Sequence, residues 1–367
     1  MKYRGPLLVS LLIICGILNA QNNADFLIGT YTRNTSATGI YTLRCNFDSL
    51  KTDIELSAAN VDNPSFLAFS EDKNYVYAVN ELGDSSFVSS FQFDKITGKL
   101  NFMNQVEAEG VDPCHLAVSD KHVITANYGS GSICVFKRQV DGSLSNVIQK
   151  ITHTGSSINP ERQQGAHVHE VVFSPDKQFV IVTDLGTDYV YSYRYDPNAE
   201  ENVLIPFDST KVKAGSGPRH LLFHPDGKLI YLLQELDGTL TTLSYNHGNF
   251  SKVAETTIVR KKDVETGAAE IILSPDGRFL YASNRGTAND ITCFKIENDG
   301  SLTFIEQTFV LGIGPRNFAI SNDGRYVLVG NQQCQIITIF KRDTDTGKLS
   351  ETDMSVDVGS PVCILQY

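Results

Sequence analysis

Beyond residue 20, no run is long and apolar enough to span a bilayer as a helix. No segment keeps a helical period over any length, and no linker or low-complexity stretch divides the chain. Basic residues are not in excess. The net charge of -11 over 367 residues argues against a nucleic-acid or anionic-membrane partner. A local basic site can still take an anion. Of the seven cysteines, none forms a C-x-x-C pair or sits at zinc-ligand spacing. Cys45, Cys114, Cys134, Cys293, Cys334 and Cys363 fall mostly within apolar strand runs and read as small buried hydrophobes. No pair among them is singled out for a disulfide.

The first residues have the layout of an export leader. Lys2 and Arg4 form a positive start, Leu7 to Ile14 is an apolar stretch, and Leu18-Asn19-Ala20 offers a cleavage site before Gln21. Ile14 is too bulky before Cys15 for a good lipoprotein signal, so a lipid anchor is less expected than plain cleavage. The reading is a signal peptide over 1–20, one domain over 21–367, and an exported chain, periplasmic or secreted. The 41% hydrophobic content is enough to bury a sizeable core.

The remainder is repetitive. After Gly217-Pro218 and the polar pair Arg219-His220, Leu221 to Phe223 is a short apolar run, Pro225-Asp226-Gly227 a tight turn, and Leu229 to Leu233 a second apolar run followed by the polar Gln234 and Glu235. Similar pairs start near Asn63, Asp112, His167, Ala268 and Gly314, about 50 residues apart. A third strand follows each pair, then a glycine turn such as Thr97-Gly98, Asp141-Gly142, Asp299-Gly300 or Thr346-Gly347, then a fourth strand. Four antiparallel strands at this period make a propeller blade. Phe26 to Thr32 and Gly39 to Leu43 match second and third strands without a first strand before them. Pro361 to Tyr367 matches a first strand with nothing after it. The fold class is therefore all-β, a seven-bladed β-propeller whose last blade is closed by N-terminal strands plus the C-terminal strand.

Aligned copies give rings of positions around the central channel. At the start of the first strand the ring reads Ser65, Cys114, His169, Arg219, Ala269, Arg316; the next reads Phe66, His115, Glu170, His220, Glu270, Asn317. After the second strand come Asn80, Asn127, Asp184, Gln234, Asn284, Asn331, then Glu81, Tyr128, Leu185, Glu235, Arg285, Gln332. Packing alone would favour apolar residues here. Alternation along a strand points His167 and His169 the same way. Arg219, Arg316, His169 and Glu235 are the candidates for a ligand site at one channel mouth, with Arg285, His167, His220, Asn284 and Asn331 as further contacts. The Asn/Asp/Gln ring has a structural alternative, bonding of the following turn. Glu170 and Glu270 can equally serve as ion-pair partners, and His122, His153 and His247 read as surface or loop residues.

At Gly29-Thr30-Tyr31-Thr32, Asp184-Leu185-Gly186-Thr187-Asp188, Gly215-Ser216-Gly217-Pro218-Arg219-His220, Ser283-Asn284-Arg285-Gly286 and Gly314-Pro315-Arg316-Asn317, the chain resembles the propeller-type lactonase family. Close members of that family are bacterial 6-phosphogluconolactonases and a carboxy-muconate lactonising enzyme. The resemblance implies a site of His169, Glu235, Arg219 and Arg285 or Arg316, without a cofactor. It implies a small anionic or sugar-lactone substrate opened by water, with Glu235 or His169 as base and arginine on the oxyanion. An exported chain departs from cytosolic relatives that serve the pentose phosphate route, so an unphosphorylated aldonolactone stays open beside 6-phosphogluconolactone. A non-catalytic propeller that binds an anion and a muconate-type lactonising cycloisomerase are the alternative readings.

Overall fold

The computed structural model describes residues 23–367. The expected leader and its cleavage site lie outside the described residues. Strands fill seven four-stranded antiparallel sheets. Among the described residues, the helical content is one short turn of 3-10 helix, Gly83–Ser85, and no helix is long and apolar enough to cross a membrane.

Six sheets run in chain order. Their innermost strands are β4 (Pro64–Phe69), β8 (Pro113–Val118), β12 (Val168–Phe173), β16 (Pro218–Phe223), β20 (Ala268–Leu273) and β24 (Pro315–Ile320). The seventh is made from both ends of the chain. Here β28 (Pro361–Gln366) pairs with β1 (Asn23–Thr30), which pairs with β2 (Gly39–Asn46) and then β3 (Lys51–Ala59). Each innermost strand lies beside the next, and β28 lies beside both β24 and β4, which closes the ring. The split seventh blade expected from the repeat is the one observed.

The apolar core sits between blades. Seven clusters of buried side chains occupy the seven interblade spaces. One of them joins Phe26, Ile28 and Leu43 of the composite blade to Leu328, Ile337 and Ile339 of the blade before it. Both faces of each sheet are covered this way, so many strands carry apolar residues on both faces. Cys45, Cys134, Cys293 and Cys363 are buried in these spaces and Cys114 at the central channel; Cys334 is exposed, and no disulfide forms among the described residues.

The glycine turns latch neighbouring blades. Tyr77 Oη donates to the Gly142 carbonyl at 2.9 Å, Tyr231 Oη to Gly300 at 3.1 Å and Tyr281 Oη to Gly347 at 2.6 Å. Thr42 Oγ1 and Ser192 Oγ do the same for Gly98 and Gly248, each at 2.7 Å. Gly347 has a left-handed φ of +76°, and a Cβ there would meet the Phe279 ring at 2.5 Å. Gly347→Ala is expected to cost about 1–3 kcal/mol, read as a lowered urea midpoint. An unchanged midpoint would mean that this turn does not hold its blade.

Candidate active site

Every innermost strand is bulged at its mouth end. The pairing register skips one residue after Pro64, Pro113, Val168, Pro218 and Pro315, and likewise near Ala268 and at β28. The extra residues are Ser65, Cys114, His169, Arg219 and Arg316, the first ring of the sequence alignment. A bulge breaks strict alternation and re-aims a side chain. Two consecutive residues, Arg219 and His220, thereby line one cavity at the centre of the ring.

Glu235, just past β17 (Leu229–Gln234), collects the arginines. Its Oε2 takes Arg219 Nε at 3.0 Å and lies 3.1 Å from an Arg285 guanidinium nitrogen. Its Oε1 takes Arg162 at 2.7 Å. Burial by itself would raise this carboxyl, but Arg285, Arg219 and Arg162 bring it down to about 2. Burial lowers Arg285 to about 10 against the pull of Glu235, so it stays charged at neutral pH. Arg219 is held further by the Ala269 carbonyl and Arg285 by the Gly267 carbonyl.

Arg316 is different. Its guanidinium lies 5.4 Å from the Tyr31 ring centroid and has no ion pair or hydrogen bond among the described residues. Tyr31 donates to Glu81 Oε2 at 2.7 Å. Burial works against the Arg316 charge, while Tyr31 and Glu81 support it, and the balance raises its pKa. Four guanidiniums thus face two carboxylates at this mouth, an excess of positive charge on an acidic chain. Arg219, Arg316, His220, Glu270 and Ser65 line the central cavity, whose interior admits about one water molecule. A larger cavity of about 560 Å³ lies at the other end of the blades, beside turns at Lys73 and Asp323. Among the described residues no convergent set of buried charges lines it, unlike the arginine-lined mouth.

The histidines divide. His169 packs edge-on to Tyr128, with ring centroids 5.7 Å apart, and to His220, at 5.1 Å. Burial first, then Arg219, lowers its pKa well below the ordinary value, so its imidazole is neutral at pH 7. His167 stacks on the Tyr128 ring at 4.5 Å and bonds the Tyr128 carbonyl through Nδ1 at 2.9 Å. It braces Tyr128 from behind. His220 bonds Glu270 at 2.9 Å.

Several expectations are corrected. Asn284 and Asn331, expected as substrate contacts, are fully buried and bond the protein itself. Asn284 Oδ1 takes the Gly267 N–H at 3.0 Å, and Asn331 Nδ2 donates to Thr338 Oγ1 at 3.0 Å. The whole Asn/Asp/Gln ring is buried and ties turns and strands, as its structural alternative supposed. His122 and His153 are not surface residues: His122 bonds Tyr195, and His153 bridges Asp184 and Tyr193. Their strand and loop positions fold under a neighbouring blade. Arg162 was missed. It belongs to the long connection between β11 (Leu144–Thr152) and β12, outside any repeat column. The only sequence signal was the length and polarity of that connection.

The fold and its mouth together define a seven-bladed propeller with buried arginines and imidazoles gathered at the channel axis. The chain is a member of the lactonase, seven-bladed β-propeller family, whose model matches residues 25–366. It is 32% identical over 343 residues to a 6-phosphogluconolactonase of Bacillus subtilis, covering 92% of this chain and 96% of that one. A 6-phosphogluconolactonase of Formosa agariphila is 34% identical over 331 residues, with 88% and 94% covered. The solved structure of a periplasmic gluconolactonase of Pseudomonas aeruginosa superposes with a TM-score of 0.89 at 35% identity, over 94% of this chain and 99% of that one.

Glu235→Gln would leave three guanidiniums without their shared partner, at an expected cost of about 3–5 kcal/mol. A depressed carboxyl stabilises the fold above its unfolded value near 4.5 and loses that contribution as pH falls toward about 2. Urea midpoints measured down that interval should fall more steeply for wild type than for Glu235→Gln. Parallel curves would count against the three-arginine grip.

Proposed function

We propose that this chain is a hydrolase that opens a sugar lactone, 6-phosphogluconolactone or a related aldonolactone, by attack of water on the ester carbonyl. The observation that carries this reading is the unpaired Arg316 guanidinium, which lines the same cavity as the buried Arg219. A tetrahedral intermediate builds negative charge on the former carbonyl oxygen, and preorganised cationic donors stabilise it most where water is scarce. Guanidinium also binds carboxylate or phosphate through two parallel hydrogen bonds. Arg219 and Arg316 take the oxyanion and the substrate's polar groups. Arg285, Arg162 and Glu235 fix the field around them.

The base is a channel imidazole. A carboxyl at about 2 is a weak acceptor for a water proton at neutral pH. Of the two bases considered, Glu235 and His169, this counts against Glu235. The relatives named above supply the substrate class. We read the chain as exported, from its leader and its similarity to a periplasmic relative. Phosphorylated lactones are scarce outside the cytosol, so the unphosphorylated aldonolactone is the first substrate to try.

A pH-stat assay with a panel of sugar lactones tests the reading. Acid release is expected from at least one, and chelator should leave the rate unchanged because arginine supplies the charge. Arg316→Ala, which loses no ion pair, should lower kcat by about 10²–10³ with the fold intact. No acid release from any lactone, with an anion still bound, would identify a binding propeller instead. Ring closure on a muconate-like diacid would identify a cycloisomerase.

A further inference from the structure

Three imidazoles share the channel below the arginines. Those of His115 and His220 have centroids 5.5 Å apart, and those of His169 and His220 5.1 Å. They differ in what orients them. His169 Nδ1 and His115 Nδ1 are buried without a partner among the described residues. His115 Nε2 is 3.8 Å from Glu170, too far for a hydrogen bond. Burial drives the Glu170 carboxyl well above the usual carboxylate range, with one backbone donor, Leu221 N–H, acting the other way.

His220 has a fixed tautomer. Its Nδ1 meets Glu270 Oε1 at 2.9 Å. Glu270 also takes the Ile271 N–H at 3.0 Å and an N–H of Asn317 Nδ2. Burial opposes its charge, but His220 and Arg219 bring it below the ordinary value, so it is ionised and can only accept. The His220 Nδ1 must therefore carry the proton, and Nε2 a lone pair. That Nε2 is buried without a partner among the described residues, and the ring lines the same cavity as Arg219 and Arg316. Around the ring stand Glu270, which attracts a proton, Arg219 and Arg316, which repel one, and the two neutral imidazoles.

We propose that His220, oriented by Glu270, is the general base of lactone opening, with Glu270 as its positioning residue. The proposal rests on the lactonase reading of this site. Nε2 takes a proton from water as the water oxygen bonds the carbonyl carbon, and the carbonyl electron pair moves onto oxygen against the arginines. When the tetrahedral species collapses, the ring C–O bond breaks and the leaving oxygen takes the proton back from Nε2. Water and lactone become a hydroxy acid, with nothing else consumed. A carboxylate, a histidine and a free ring nitrogen is the arrangement by which a buried acid fixes an imidazole for base catalysis.

The test uses the full chain, glucono-1,5-lactone and its 6-phosphate in a pH-stat. His220→Gln should lower kcat by about 10²–10⁴ with KM little changed, and added imidazole should restore turnover to His220→Ala. Glu270→Gln should lower kcat and move the acid limb of its pH profile, which a purely structural role would not do. If His220→Gln does not fold, the Glu270→Gln profile decides, and an unmoved limb with unchanged kcat overturns the proposal. A folded His220→Gln that retains wild-type kcat overturns it while leaving the lactonase reading standing. So does a larger kcat loss in His169→Gln than in His220→Gln. Wild-type chain that opens neither lactone, nor any other in the panel, removes both readings together.

Discussion

The pairing of β1 with β28 holds the rest in place. Residues from opposite ends of the chain exchange backbone hydrogen bonds from Phe26 with Gln366 to Thr30 with Pro361. That ladder turns a row of sheets into a ring with no open inner edge. Only a closed ring has an axis, and only at an axis do innermost strands from seven blades converge. Arg219, Arg316 and Glu235 come from different strands, and closure is what brings them within range of one small ligand.

At the axis, one repeated position serves two ends. The bulge near the start of each innermost strand takes a residue out of the ladder. In one ring of positions the freed geometry fastens blades: Glu170 accepts the Leu221 N–H at 2.6 Å, and Asn317 Oδ1 accepts the Ile364 N–H at 2.7 Å. Its neighbours His220 and Glu270 bond each other and leave a ring nitrogen over. Fastening and chemistry are drawn from the same ring. The difference lies in how many donors each buried carboxyl receives. Glu170 receives one from the backbone and is driven to hold a proton, whereas Glu270 receives three and stays charged. Burying a carboxylate is costly unless it is satisfied in this way.

Charge at the mouth follows the same logic on a larger scale. Three guanidiniums share Glu235, an arrangement with positive charge left over, and a fourth, Arg316, rests on the Tyr31 face. The cost of packing like charges together is offset by the charge of the shared carboxylate and by backbone carbonyls at Ala269 and Gly267. The surplus is what an anionic ligand or a developing oxyanion would neutralise.

The fold was legible in the sequence because each blade repeats the same local pattern: a short apolar strand, a turn set by Asp-Gly or its like, and a second strand. The period and the unmatched pieces at the two ends were enough to predict seven blades and their closure. Alignment also named Arg219, Arg285, Arg316, Glu235, His169 and His220, since a ring of positions in sequence is a ring in space. For Asn284 and Asn331 the structural alternative describes what is observed, a ring that bonds buried turns and strands. Alignment did not reach Arg162, which lies in a connection with no counterpart in the other blades. Nor could it rank the bases, because the proton affinity of Glu235 or His220 depends on the number and distance of donors from other blades. Local pattern is written in neighbouring residues, whereas the environment of a buried charge is assembled from residues 16 to 73 positions away.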